Sequence, residues 1–278
     1  MVDSIVQPKP RRQLSWRVPT VMKRLLWTLA SITMAITLWS AFIFIAHPPN
    51  YLLPAPWEVL ATTWVDRETL IYHGLTTMSE ILIGILLGGV IAVPLGTMIV
   101  AIPIAERLFY PIAVAFNSIP KIALAPLFVV WFGYGFMPRV LLTASITFFP
   151  ILVSTVSGLV AIDPELLRLA TVLRAKRSRV FLRMRLPNAL PSIFSGIKVA
   201  TSLGVIGAIS AEFVSSDRGW GYLLVQSSGT LDTALMFSVI IMLAVVASLL
   251  FAIANLIEGY FVSWHASHRL RGDRSERA

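Results

Sequence analysis

Six apolar stretches of membrane-spanning length leave this chain few ways to fold. They cover residues 25–46, 79–102, 108–132, 140–162, 189–213 and 234–260, against the roughly 20 residues that a helix needs to cross a bilayer. In lipid the backbone must satisfy its own polar groups, so runs of this kind are expected as helices. An apolar share of 56% and a mean hydropathy of +0.79 also exceed the about 45–50% apolar content of ordinary soluble domains. Lys23 and Arg24 give the first run the look of a secretion signal. Its length exceeds the roughly 7–15 residues of such a core, and Ile45, Ala46, His47 and Pro48 offer no small-x-small cleavage site. It is expected to persist as a helix. With no cysteine in the chain, neither a disulfide framework nor a thiolate metal site is available.

Basic residues set the expected orientation. Residues 1–24 hold six Lys and Arg, the link 103–107 holds Arg107, residues 163–187 hold seven and the tail after Tyr260 holds four, eighteen of the chain's 23 on one side. The opposite loops contain Arg67, Arg218 and Arg139. Both termini and residues 163–187 are therefore expected in the cytoplasm. The net charge of +9 does not point to nucleic acid, because these charges flank spans instead of sharing one soluble face. The reading divides the chain into a basic cytoplasmic segment, 1–24, a transmembrane domain, 25–264, and a charged cytoplasmic tail, 265–278.

Residues 163–187 are the largest polar interruption. Asp163, Pro164 and Glu165 make a helix start: a side-chain acceptor for the N-cap, a proline where the missing N–H is harmless, and an acid at the positive end of the dipole. Leu166, Leu169, Ala170 and Leu173 then share a face at helical spacing. A second short helix is expected from about Ser178, with Phe181 and Met184 apolar, ended by Leu186 and Pro187. Outside the spans these apolar faces have no lipid to cover.

That loop resembles the cytoplasmic EAA loop of ABC importer permeases. The stretches NSIPKIALAPLFVVWFGYG from Asn117, FFPILVSTVSGLVAIDP from Phe148, AEFVSSDRGWGYLL from Ala211 and LPAPWEVL from Leu53 resemble the nitrate/sulfonate/taurine/bicarbonate branch of that family, over roughly residues 50–260. The resemblance implies an all-α integral membrane fold of six transmembrane helices with a cytoplasmic coupling-helix loop, the type I importer architecture, in the bacterial inner membrane. It further implies a second permease copy, two cytoplasmic ATPase subunits that carry the ATP and Mg, and a periplasmic or lipid-anchored solute-binding protein. The solute would be small and polar or anionic: nitrate, a sulfonate, taurine, bicarbonate or a pyrimidine-like compound. ATPase coupling falls to Asp163, Leu166, Arg168, Leu169, Ala170, Leu173, Arg174, Ala175, Phe181, Met184 and Pro187. Three positions depart from the family motif: Arg168 stands where it has an acid, Leu169 where it has the first of two alanines, and Arg174 where glycine would accept a positive φ.

Inside the spans, Glu80, Gly84, Gly88, Ala92 and Gly96 recur every fourth residue, as do Gly196, Ala200, Gly204, Ala208 and Glu212. Such ridges let helices pack closely in lipid. A step of four residues turns about 400°, so each ridge winds around its helix. Glu80 and Glu212 end their ridges toward the same side and are expected as neighbours, at an outer gate or on the translocation path. Asn117, Pro120, Lys121 and Pro126 predict a break in the third span, with Asn117 and Lys121 facing the protein interior. There Lys121 either meets an anionic solute or pairs with Glu80 or another acid. Lys198 is expected to snorkel toward the cytoplasmic surface, and Glu258 to face it.

No catalytic constellation or phosphate-binding loop occurs, which leaves ATP hydrolysis to partner chains. His265 and His268 are three residues apart without a third ligand, too few for a metal centre. The other reading of the intramembrane Glu80, Lys121 and Glu212 is a secondary transporter or channel. The lack of an internal repeat weighs against it.

Overall fold

The computed structural model describes residues 20–262, a helical bundle. The N-terminal segment before residue 20 and the tail with His265 and His268 lie outside the described residues. Helix α1 (Thr20–Ala46) stands at the edge, and α2 (Pro56–Val65) is a short helix opened by Pro56. Trp57 and Trp64 are exposed on α2, an arrangement that suits a helix at the membrane–water boundary. The long helix α3 (Arg67–Ala101) covers the second apolar run.

The third span is broken, as Pro120 demands. Helix α4 (Pro103–Ser118) stops before Ile119, whose φ of −72° and ψ of 130° are the extended values that a following proline imposes. A 3₁₀ turn at Lys121–Leu124 then leads into α5 (Ala125–Phe132), and the two halves meet at 85°. Gly133 and Gly135, with φ of 77° and 143°, turn the chain into α6 (Phe136–Val160). Among the described residues five helices qualify as spans by themselves, and the bent pair, taken as one span, makes the sixth.

The basic loop folds as α7 (Pro164–Val172) and α8 (Arg177–Val180), continued by a π turn at Phe181–Arg185 into α9 (Leu186–Ser215). Pro187 does not end the second short helix. The Leu186 N–H bonds back to the Phe181 carbonyl, and the wide turn carries the chain through the proline into α9. Helix α10 (Trp220–Thr230) and α11 (Thr233–Phe261) complete the bundle.

Both small-residue ridges converge on α6, which lies between α3 and α9. A methyl group at Gly84 would come within 2.5 Å of Thr143 Cγ2, and one at Gly88 within 2.6 Å of Thr147 Oγ1 and 3.0 Å of the Ala144 carbonyl. From the other side, a methyl group at Gly196 would approach Ser154 Cβ to 2.6 Å. Helix α6 answers with Thr143, Thr147, Ile151, Thr155 and Leu159, all buried and four residues apart. The threonine hydroxyls turn inward onto their own helix: Thr147 Oγ1 donates to the Thr143 carbonyl at 3.0 Å and Thr155 Oγ1 to the Ile151 carbonyl at 2.7 Å. Their methyl groups are thereby left to pack, in keeping with the ridges' role as packing seams.

Candidate functional site

Two constellations stand at opposite ends of the bundle. At the end away from the basic loop, Glu80 on α3, Arg139 in the first turn of α6 and Glu212 near the end of α9 are 0%, 4% and 2% exposed. Arg139 Nη1 lies 3.0 Å from Glu80 Oε1. Its Nε donates to the Gly135 carbonyl at 2.8 Å, and Nη1 donates to Ser216 Oγ and, at 3.2 Å, to the Arg218 carbonyl. Glu212 accepts from Thr77 Oγ1 at 2.7 Å and from the Gly221 N–H. The two carboxyl groups also face each other at interaction range.

The expected neighbourhood of Glu80 and Glu212 is therefore present, with a cation that sequence reading assigned to a loop. Pro138 and Arg139 precede the apolar run at Val140, which hid Arg139's place in the first turn of α6. The segment 216–221 is fastened to α3 by three further bonds. Trp220 N–H donates to Thr77 Oγ1 at 2.8 Å, its indole N–H to the Leu70 carbonyl at 2.8 Å, and Gly219 N–H to His73 Nδ1 at 2.9 Å. Gly219 turns the chain with φ of 111°. Gly221 sits in the first turn of α10, where an added methyl group would lie 2.7 Å from Glu212 Cβ. Five segments thus meet in one buried polar clamp.

Lys121 takes no part in it. Its Nζ donates to the Asn117 carbonyl at 3.2 Å and to Asn117 Oδ1 at 2.7 Å, bridging the break in the third span. Lys198 does not simply snorkel, nor does Glu258 face open water: their side chains pair at 2.6 Å between α9 and α11. The two positions are 60 residues apart, so helical periodicity could not join them.

At the other end the loop is exposed. Asp163 caps α7 by accepting the Glu165 N–H at 2.8 Å, as expected. Leu166, Leu169 and Leu173 are exposed, the latter two at 53% and 70%, while Ala170 turns inward. Val172 and Leu182 add to the outward apolar surface. Phe181 departs from the expected docking face: it is half-buried and packs on Leu159, Ala189 and Ile193, because the π turn rotates its side chain onto the bundle. Met184 is half-buried as well. Arg174 has φ of 51°. Its N–H bonds to the Thr171 carbonyl at 3.0 Å and the Ala175 N–H to the Ala170 carbonyl at 2.9 Å, the paired bonds of a left-handed helix ending usually made with glycine.

The family model for the binding-protein-dependent transport system inner membrane component matches residues 70–264, most of the chain. The chain belongs to this family. It is similar to the riboflavin transport system permease protein RibX of Chloroflexus aurantiacus, 33% identical over 94% of this chain and 99% of that one. The formylaminopyrimidine transport permease protein ThiX of Halalkalibacterium halodurans is 33% identical over 83% of this chain and 92% of its own. Among solved structures, an inward-facing form of the MetNI methionine ABC transporter superposes with a TM-score of 0.62 at 20% identity, covering 70% of this chain and 97% of that one. At that identity the likeness shows the fold, the type I importer permease architecture. This protein is a multi-pass membrane permease of an ABC importer. An ATP-independent carrier built on Glu80, Lys121 and Glu212 is not favoured: Lys121 stands apart from the clamp that the two carboxylates share.

Proposed function

We propose that two copies of this permease form the membrane path of an importer, powered by two cytoplasmic ATPases that hold the ATP and Mg and supplied by an external solute-binding protein. The observation that carries this reading is the exposed leucine face of α7, set in a loop of seven basic residues beyond the ends of the spans. A soluble domain exposing Leu166, Leu169, Leu173 and Leu182 together would normally cover them with a partner. The capped, short α7 is a stiff element suited to entering a cleft on an ATPase. The π turn joins α8 to α9 as one continuous helix, so movement of the loop is carried into the bundle. Phe181 anchors the lever from inside, while the leucines meet the motor.

Both termini and this loop lie in the cytoplasm, by the distribution of basic residues. The clamp of Glu80, Arg139 and Glu212 then lies at the outer end, where it closes the mouth and ties the 216–221 segment to the spans. Asn117 and Lys121, at the break in the third span, face the path. An ammonium at a broken span is poorly placed against lipid and well placed against a polar or anionic solute. The names of the relatives favour a small polar solute such as a pyrimidine-like heterocycle, with taurine and aliphatic sulfonates as the other class.

Reconstitution tests this reading. In proteoliposomes containing the permease, its ATPase and its binding protein, uptake should require all three and internal hydrolysable ATP. Solute uptake by the permease alone, without ATP, would reverse it in favour of a secondary transporter. Binding assays of the solute-binding protein with riboflavin, formylaminopyrimidine, taurine and an aliphatic sulfonate assign the solute.

A further inference from the structure

A cavity of about 580 Å³ opens at the basic end of the bundle. Its walls are aliphatic: Ile99 and Val100 from the last turn of α3, Val156 and Val160 from the end of α6, and Leu167 from α7. One cation lines it, Arg185, the last residue of the π turn. Among the described residues the Arg185 side chain has no hydrogen bond and no ion pair; the ion pairs there belong to Arg139, Lys198 and Arg218. It is half-buried, so the guanidinium is neither sealed in nor free in bulk water. Around it, residues 163–187 contain seven basic residues against two acids, Asp163 and Glu165, and the Asp163 carboxylate already caps α7.

We propose that this cavity binds an acidic phospholipid of the cytoplasmic leaflet, with its phosphate on Arg185 and the upper part of an acyl chain against the aliphatic walls. Three features select that occupant. The cavity lies where α3 and α6 end and α9 begins, the level at which a headgroup meets a chain. Apart from Arg185 its described lining side chains are apolar, which suits an amphiphile better than a free anion. A guanidinium with no partner among the described residues matches a phosphate in charge and in its forked donor geometry, and basic pockets between spans on the cytoplasmic side are suited to acidic headgroups. The site sits directly behind α7, in contact through Pro164 and Leu167. A bound lipid would brace the lever that the ATPases move.

Native mass spectrometry of the permease–ATPase complex released from nanodiscs tests the proposal. With discs of phosphatidylcholine and phosphatidylglycerol in equal amounts, the wild-type complex should retain phosphatidylglycerol preferentially. Arg185→Gln should lower that retention about five-fold, the factor associated with one basic residue near an anionic surface. Val160→Trp, which fills the cavity and keeps the charge, should lower it too. Arg179→Gln, which removes an exposed charge of the same loop outside the cavity, should leave it unchanged. The proposal is overturned if Arg185→Gln retains as much lipid as wild type, or if Arg179→Gln loses as much as Arg185→Gln, which would mean diffuse attraction. It is equally overturned if millimolar inorganic phosphate displaces the lipid, which marks a simple anion site, or if retention occurs only without the ATPases, which assigns the cavity to them.

Discussion

At one end of the permease, Glu80, Arg139 and Glu212 are almost wholly enclosed, and their hydrogen bonds tie α3, α6, α9 and the start of α10 together. At the other, Leu169 and Leu173 stand in the open on α7, where Ala170 is the buried residue. The first region closes on itself within the single chain; the second leaves its apolar surface open, as the proposed docking of an ATPase requires. This contrast suits a machine that is pulled from one side. A lever needs an unoccupied face for the motor and a distant region stiff enough to convert its movement into opening and closing.

The largest effect is expected from breaking the clamp. Arg139→Gln leaves two enclosed carboxyl groups without their cation, and removing one partner of a buried pair costs about 3–5 kcal/mol. Loss of folded protein, read as a lowered melting temperature in detergent or as a failure to purify, should follow. Arg139→Lys should recover little, since one ammonium cannot reach the Gly135, Ser216 and Arg218 acceptors together.

The packing seam comes next. Gly88→Ala would press a methyl group onto Thr147 Oγ1 and the Ala144 carbonyl, at 2.6 and 3.0 Å; overpacking of this kind costs roughly 1–3 kcal/mol. Gly89→Ala, whose added methyl group meets only Ile151 Cδ1 at 3.7 Å, should be tolerated, and thermal unfolding of the two variants side by side measures the difference.

Glu80→Gln and Glu212→Gln sharpen the account of the clamp itself. Because the two carboxyl groups are neighbours in one clamp, the double variant should depart from the sum of the single ones by about 0.5–3 kcal/mol, as contacting groups do. A fully additive cycle in thermal stability would mean that the two do not communicate.

Much of this architecture was readable from local pattern, and what escaped depends on tertiary placement. The cap at Asp163 and the break at Pro120 follow from chemistry within a few residues. The two glycine ridges announced close packing, yet not the partner that fills them. Thr143, Thr147 and Thr155 on α6 lie in a span with little polar contrast, and a threonine that bonds its own helix looks like any other. Arg139 looked like a loop charge because a proline precedes it and the apolar run begins just after. The pairing of Lys198 with Glu258 joins two helices far apart in sequence. Phe181 carried a docking role at helical spacing, but the π turn shifts the register and turns it inward.

The smallest effect is expected at Arg174. A non-glycine residue held at a left-handed φ is strained by roughly 1 kcal/mol, so Arg174→Gly should leave the fold intact and raise stability slightly. Unchanged or lower stability would indicate a contact made by the Arg174 side chain to a partner or to the rest of the loop, and comparing the permease alone with its ATPase complex separates the two.

The proposed coupling is tested most directly by Leu169→Asp. Leu169 is exposed in the single chain, so the variant should insert and melt like wild type, whereas a carboxylate desolvated at a docking surface costs several kcal/mol. Solute-stimulated ATP hydrolysis by the reconstituted complex is the measurement. The account predicts that stimulation is lost, through failed ATPase association or uncoupled hydrolysis, in a permease that remains folded; wild-type stimulation in Leu169→Asp would contradict the role given to this loop.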